Sequence, residues 1–317
     1  LDKQIDYKDA PMVKVDWQIF IGFFLGQIAC SYTLGVAGTA LNRAQNILNI
    51  NSFWMGLLGA GTLIGLFGSL FVGHIADNIG RRKLFLVDMW ALVIISLLQL
   101  TTTNLTFILI IRILLGICIA IDYTVGSSLM TEWLPTNKYS KFQSFLLLFW
   151  ITGYVVAYLV GTFTPNLGPH TWQIILASTS IIGLLPAIQR LIVRQPESPS
   201  WLINKGRNEE AQTLIHKYIG KNYFITDPGQ KTRKKVSWSE LFSKRLWKHT
   251  VVGGMFYACQ TFPFFGISIF LPILMQNMHI HNPYMSEILY NLFMIVGVVI
   301  GIIIFLNFKN KLATGLK

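Results

Sequence analysis

Gly73-His74-Ile75-Ala76-Asp77-Asn78-Ile79-Gly80-Arg81-Arg82-Lys83 is a polar link between two apolar runs, residues 56–72 before it and 84–100 after it. The chain around it is 53% hydrophobic and only 13% charged, whereas a soluble domain carries about 25% charged residues. A helix needs roughly 20 apolar residues to cross a bilayer. Working outward from the link, eight runs meet that length: 17–41, 52–75, 84–102, 106–133, 142–163, 172–192, 251–275 and 285–308. They predict an all-α, polytopic protein of the cell membrane.

The first run is too long for a removable signal peptide and has no small-residue cleavage site after it, so it reads as a span. Trp17, Trp54, Trp133 and Trp172 fall at span ends, the depth that suits an apolar ring with a polar edge. Cys30, Cys118 and Cys259 fall inside spans, where cysteine acts as a small apolar packing residue. Neither a disulfide framework nor a metal site is suggested, and no cofactor is expected.

The net charge of +12 reports topology and not nucleic-acid binding. Arg112 is read as the one cation deep within a span. The links after spans 1, 3, 5 and 7 hold a single cation, Arg43, while those after spans 2 and 4 hold Arg81, Arg82, Lys83, Lys138 and Lys141. The link after span 6 is a large basic segment. The positive-inside rule therefore places the amino terminus and the even-numbered links in the cytoplasm.

Three regions follow: a six-span half (1–194), a cytoplasmic linker (195–248) and a partial second half with two spans (249–317). The linker carries eleven cations with Glu197, Glu209, Glu210, Asp227 and Glu240. Ala211, Leu214, Ile215, Tyr218 and Ile219 share one helical face, predicting an amphipathic helix along the inner membrane surface. Ser237-Trp238-Ser239-Glu240 reads as a capping box. Asp227-Pro228-Gly229 and 231–235 read as a turn and a basic run.

Gly73, Asp77, Gly80, Arg81 and Arg82 fit Gly-x-x-x-Asp-(Arg/Lys)-x-Gly-Arg-(Arg/Lys), which resembles the link between helices 2 and 3 of the major facilitator superfamily. Asn78 departs from the pattern. The resemblance implies a cytoplasmic gating latch between two six-helix halves, with Gly73 admitting a close helix, Gly80 a tight turn, and Asp77 accepting bonds from a helix amino end. Pro196-Glu197-Ser198-Pro199-Ser200-Trp201-Leu202 resembles the Pro-Glu-Ser-Pro-Arg-Trp-Leu run after helix 6 of sugar porters, with Ser200 in place of Arg. Glu132-Trp133-Leu134-Pro135 resembles the family's Glu-x-x-Pro, with Tyr139-Ser140 where Arg-Gly is usual. Glu132 and Glu197 thereby join the gating set.

Charges inside a bilayer are costly and mark function. Span 4 is read as holding two, Arg112 and Asp122. Ten residues separate them, about 15 Å along the axis and roughly 80° around it, so no direct pairing is expected. Arg112 with Gly116 resembles the helix 4 arginine motif, which serves packing or proton coupling; a tether to neighbouring carbonyls is the competing reading. Asp122-Tyr123 resembles the Gly-Asp-Tyr-Pro stretch of phosphate:proton symporters and organic-anion carriers, which implies that Asp122 couples transport to protons.

Other positions depart from sugar porters: helix 1 reads Tyr32-Thr33 where Tyr-Asp is common, and the sugar-binding glutamine of helix 5 falls on Leu147. Cys259-Gln260-Thr261 keeps one of two helix 7 glutamines. The resemblance implies a secondary transporter lined by Tyr32, Thr33, Arg112, Asp122, Tyr123, Trp150 and Gln260. The expected cargo is an organic acid, phosphate or a sugar, with protons, carried by a monomer in the lipid bilayer. An enzyme is not expected, since His279 and His281, in an outer link, are the only close histidine pair and lack metal spacing within a span. The rival is a non-transporting or inactive truncated membrane protein, because four expected helices do not follow residue 317. An in-frame continuation supplying four more spans would favour transport.

Overall fold

The computed structural model describes residues 5–225, 242–278 and 283–315. The expected capping box at 237–240, the turn and basic run at 227–235, and His279 and His281 lie outside the described residues. The chain is almost entirely helical: α1 Lys14–Ile47, α2 Ser52–Leu66, α3 Ser69–Ile79, α4 Arg81–Leu97, α5 Leu105–Ile121, α6 Ser127–Trp133, α7 Thr136–Phe163, α8 Thr171–Ala177, α9 Thr179–Val193, α10 Pro199–Asn204, α11 Asn208–Tyr218, α12 Trp247–Ser268, α13 Leu271–Asn277 and α14 Pro283–Gly315.

Seven stretches of the described residues are long and apolar enough to cross a bilayer. The first six, Lys14–Ile47, Ser52–Ile79, Arg81–Thr101, Leu105–Trp133, Lys141–Phe163 and Thr171–Val193, agree with the expected spans within a few residues. The seventh is Ile288–Phe305, inside the last expected span. The stretch expected at 251–275 is helical, as α12 and α13, but is not among the seven. Thr250, Gly253, Gly254, Gln260, Thr261, Pro263 and Gly266 dilute its apolar character. Phe308-Lys309-Asn310-Lys311, read from sequence as the start of a link, is backbone helix as far as Gly315.

Helix α1 is the axis of the bundle. Every residue from Ala29 to Leu41 is buried, as expected of a helix apolar all round. Helices α7, α8 and α9 pack on it. α2 and α5 cross at a glycine pair: a Cβ on Gly65 would lie 2.1 Å from the Ile113 carbonyl, and one on Gly116 2.1 Å from that of Thr62. Asn51 and Asn104 start α2 and α5 by accepting the N–H groups of Trp54 and Thr106, each at 2.9 Å, which satisfies donors otherwise orphaned in the first turn.

The linker helix α11 does form, and its Ala211 and Ile215 are fully buried. It packs on protein as well as facing outward. Tyr218 meets Trp133 edge-on at 6.1 Å, and strand β2 (Tyr223–Phe224) pairs in parallel with β1 (Ile5–Asp6). Trp133 and Trp172 are each 1% exposed and belong to the core, so only Trp17 and Trp54 keep the expected boundary character.

Candidate functional site

Two ionic constellations organise the bundle. The first lies inside it. Helix α5 continues into one π-helical turn, Asp122–Gly126, before α6 resumes; such turns recur at functional sites because they re-aim side chains. Asp122 leaves this turn completely buried and pairs with Arg190 of α9. Arg190 also pairs with Asp88 of α4, from Nη1 to Oδ1 at 2.9 Å and to Oδ2 at 3.1 Å. It donates to the Gly22 carbonyl from Nε at 3.2 Å and Nη2 at 3.0 Å, and to the Phe85 carbonyl at 2.9 Å. The Phe85 ring lies 3.5 Å from the guanidinium carbon. Gln27 and Cys30 of α1 reach the other Asp122 oxygen at 3.5 and 3.6 Å.

Sequence reasoning missed Asp88 and Arg190. Arg112 is not the only deep cation, because Arg190 is equally buried. Span 4 does not hold the only intramembrane charges. The signal was present: Asp88 and Arg190 both fall inside predicted spans, but near span ends, where long side chains ordinarily reach the interface. Cys30, read as apolar packing, turns its sulfur to a carboxylate.

Arg112 is separate from Asp122, as the helical spacing predicts. Its Nε donates to the Leu58 carbonyl of α2 at 2.6 Å, the tether geometry. Tyr32 shares a 2.6 Å hydrogen bond with Ser178, and Thr33 donates to Ala29 of its own helix at 2.7 Å. Both are buried. Tyr123 accepts from the Trp150 indole at 2.5 Å, and Trp150 stacks on Tyr154 with centroids 5.5 Å apart. Gln260 lies exposed on α12 and is not brought to the others. Thus Asp122, Tyr123 and Trp150 converge, while Tyr32, Thr33, Arg112 and Gln260 stand apart.

The second constellation gathers at the end of the bundle that carries the amino terminus. Gly80, at φ +106°, permits the turn from α3 into α4. Glu197 then accepts the Arg81 and Arg82 backbone N–H groups, each at 3.1 Å, at the positive end of the α4 dipole. The amino-end acceptor is therefore Glu197. Asp77 instead pairs through its side chain with Arg81 at 3.5 Å and accepts the Trp201 indole N–H at its backbone carbonyl, 2.9 Å away. Arg81 pairs with Glu132, to which the Ser198 hydroxyl donates. Ser198 also caps α10 through the Trp201 N–H at 3.1 Å. Tyr7 donates to the Glu132 carbonyl at 3.2 Å, and burial pushes its phenol above the ordinary range. Gly73 meets open space, so the close helix expected there is not a contact of the described residues. The three motifs quoted from sequence thus form one network, of which Arg82 contributes its backbone.

Residues 17–308 match the family model described as sugar (and other) transporter. The inner membrane metabolite transport protein YgcS of Escherichia coli (strain K12) is 31% identical over 298 residues, covering 93% of this chain and 66% of the relative. The putative metabolite transport protein YaaU of the same organism is 33% identical over 277 residues, covering 86% and 61%. The chain therefore spans slightly less than two thirds of these relatives' lengths. A partially occluded inward-open structure of the xylose transporter XylE from E. coli superposes with a TM-score of 0.73, at 19% identity, over 92% of this chain and 73% of that one. The likeness establishes the helical fold. With most of its length matched and its membrane-length helices in that arrangement, this multi-pass membrane protein belongs to the sugar (and other) transporter family of the major facilitator superfamily, which comprises transporters and not enzymes.

Proposed function

We propose that the protein moves a small solute across the cell membrane by alternating access, coupled to protons at Asp122. The relatives are named for metabolite transport, and others for niacin in Acinetobacter baylyi and D-xylose in Levilactobacillus brevis. The observation that carries the coupling is the dry Asp88–Arg190–Asp122 group, an intramembrane ionic site. Tyr123 and Trp150 line the pathway beside it. Arg112, whose Nε is held by the Leu58 carbonyl, no longer argues for an anionic cargo over a sugar. The basic rim built by Asp77, Gly80, Arg81, Arg82, Glu132 and Glu197 faces the cytoplasm with the amino terminus and gates that side. Residues 1–194 form the six-span half, 195–248 the linker and 249–317 the start of a second half.

The test is uptake by vesicles containing the protein expressed from its complete reading frame, with D-xylose, nicotinate and inorganic phosphate as probes under an imposed pH gradient. Accumulation of one probe that follows the gradient is expected, and Asp122→Asn abolishes that dependence. Equal gradient-driven accumulation by the variant would defeat the coupling assignment.

A further inference from the structure

The buried group holds two carboxylates and one guanidinium, all three side chains with no solvent exposure. A guanidinium has five N–H donors. Those of Arg190 are directed at the Gly22 carbonyl, from Nε and Nη2, at Asp122, at Asp88 and at the Phe85 carbonyl. Nothing of Arg190 is left to satisfy a second full charge. Leaving one ion unbalanced in a dry interior costs several kcal/mol.

The two carboxylates are not equivalent. Asp88 has both oxygens on Arg190, and its Oδ1 also accepts the Met89 N–H at 2.6 Å. Asp122 gives Oδ1 to Arg190, but Oδ2 has only the long contacts from Gln27 and Cys30. A Cβ on Gly26 would sit 2.8 Å from both Asp122 oxygens, so α1 closes over this edge with backbone alone. The charged and titratable groups facing the site are Cys30 from α1, Asp88 from α4, Cys118 from α5, Tyr123 from the π-helical turn and Arg190 from α9.

We propose that Asp88 and Asp122 share Arg190 as a single counter-ion, that the residual negative charge is cancelled by one exchangeable proton on Asp122 Oδ2, and that Asp88 is the positioning residue that makes this proton necessary. Asp88 holds Arg190 permanently. Binding converts the Asp122 carboxylate and a solvent proton into a carboxylic acid, whose O–H faces α1; release reverses it. With Asp88 neutralised, Arg190 and Asp122 balance each other and no proton is needed. The inference rests on the coupling reading above and extends it to two residues outside the expected pathway.

The test is pH-difference infrared spectroscopy of the detergent-purified protein, following the stretching band of protonated carboxyl groups. No solute is involved, so failure to transport any probe leaves the result intact. The wild type shows the band, and it disappears in both Asp88→Asn and Asp122→Asn. Because either Asn variant could fold poorly, the charge-preserving variants locate the proton: Asp122→Glu shifts the band and Asp88→Glu leaves it in place. A band retained in a folded Asn variant, or one that moves in Asp88→Glu and not in Asp122→Glu, overturns the proposal.

Discussion

The buried triad and the rim network use the same side-chain chemistry in opposite ways. At the rim, Arg81, Arg82 and Lys83 face Asp77, Glu132 and Glu197, so the charges balance. Much of the bonding runs through backbone: Glu197 takes two N–H groups and the Asp77 carbonyl takes an indole. The rim is also partly wet, with the Asp77 side chain 66% exposed and that of Glu132 15%. The triad is dry and carries one carboxylate too many. A balanced, half-solvated network fixes shape, whereas a dry and unbalanced one must change its occupancy or find a proton. The difference assigns structure to the rim and coupling to the interior.

The sharpest way to break this contrast is Arg190→Gln, which strands two carboxylates with no counter-ion. Removing one partner of a buried ion pair typically costs about 3–5 kcal/mol, and here two pairs go at once. A large fall in the thermal unfolding midpoint of the detergent-solubilised protein is expected. Adding Asp88→Asn and Asp122→Asn to the same chain should restore much of the loss. If the triple variant is no more stable than the single one, the damage comes from lost packing against Phe85 and not from charge.

A smaller effect separates packing from charge directly. Gly116→Val places a branched side chain where α5 meets Thr62 and Gly65 of α2. Overpacking of this kind costs about 1–3 kcal/mol. The Arg112 tether to Leu58 crosses the same helix pair, so it should loosen too. The carboxyl infrared band assigned to the triad should not change. A change there would mean that the α2–α5 crossing and the triad are one unit.

The rim was legible in the sequence because its residues sit in short links with fixed spacing. Gly80 and Arg81 to Lys83 announce a turn and a positive cluster by type alone, and PESPSWL carries its own caps. What the sequence concealed was the pairing, since Glu197 lies 116 residues from the Arg81 N–H it accepts. The triad was legible only through Asp122. Its partners come from two other helices, and each lies near a span end where a charge ordinarily escapes to water. The π-helical turn that aims Asp122 has no composition signal, because a single extra residue per turn leaves apolar periodicity almost unchanged. Gln260 failed for a related reason: membership in an apolar helix says nothing about which face meets the bundle.

At the rim, Glu197→Ala removes the acceptor for two N–H groups at the start of α4 and opens the space beside Gly80, where Glu197 Oε2 would lie 2.8 Å from an added Cβ. Loss of a cap costs about 1 kcal/mol. Chemical denaturation of the detergent-solubilised protein should register it. Its helical content should otherwise be retained, since the Ser198 cap of α10 remains. A loss comparable to that of Arg190→Gln would mean that the rim, too, behaves as a dry site.

The mildest change tests the wet end of the comparison. Asp77→Asn deletes a charge that pairs with Arg81 at 3.5 Å but is mostly in solvent. Exposed pairs contribute about 0.2–1 kcal/mol, and screening over a Debye length of about 8 Å at physiological salt reduces that further. Arg81 keeps Glu132, so it is not left unbalanced. The unfolding midpoint should therefore fall slightly at low salt and match the parent at high salt, because the bonds that order the link, Trp201 to the Asp77 carbonyl and Glu197 to the α4 amino end, do not involve the Asp77 carboxylate. A salt-independent loss would place Asp77 among the buried charges, and with it the rim would cease to be the solvated counterpart of the triad.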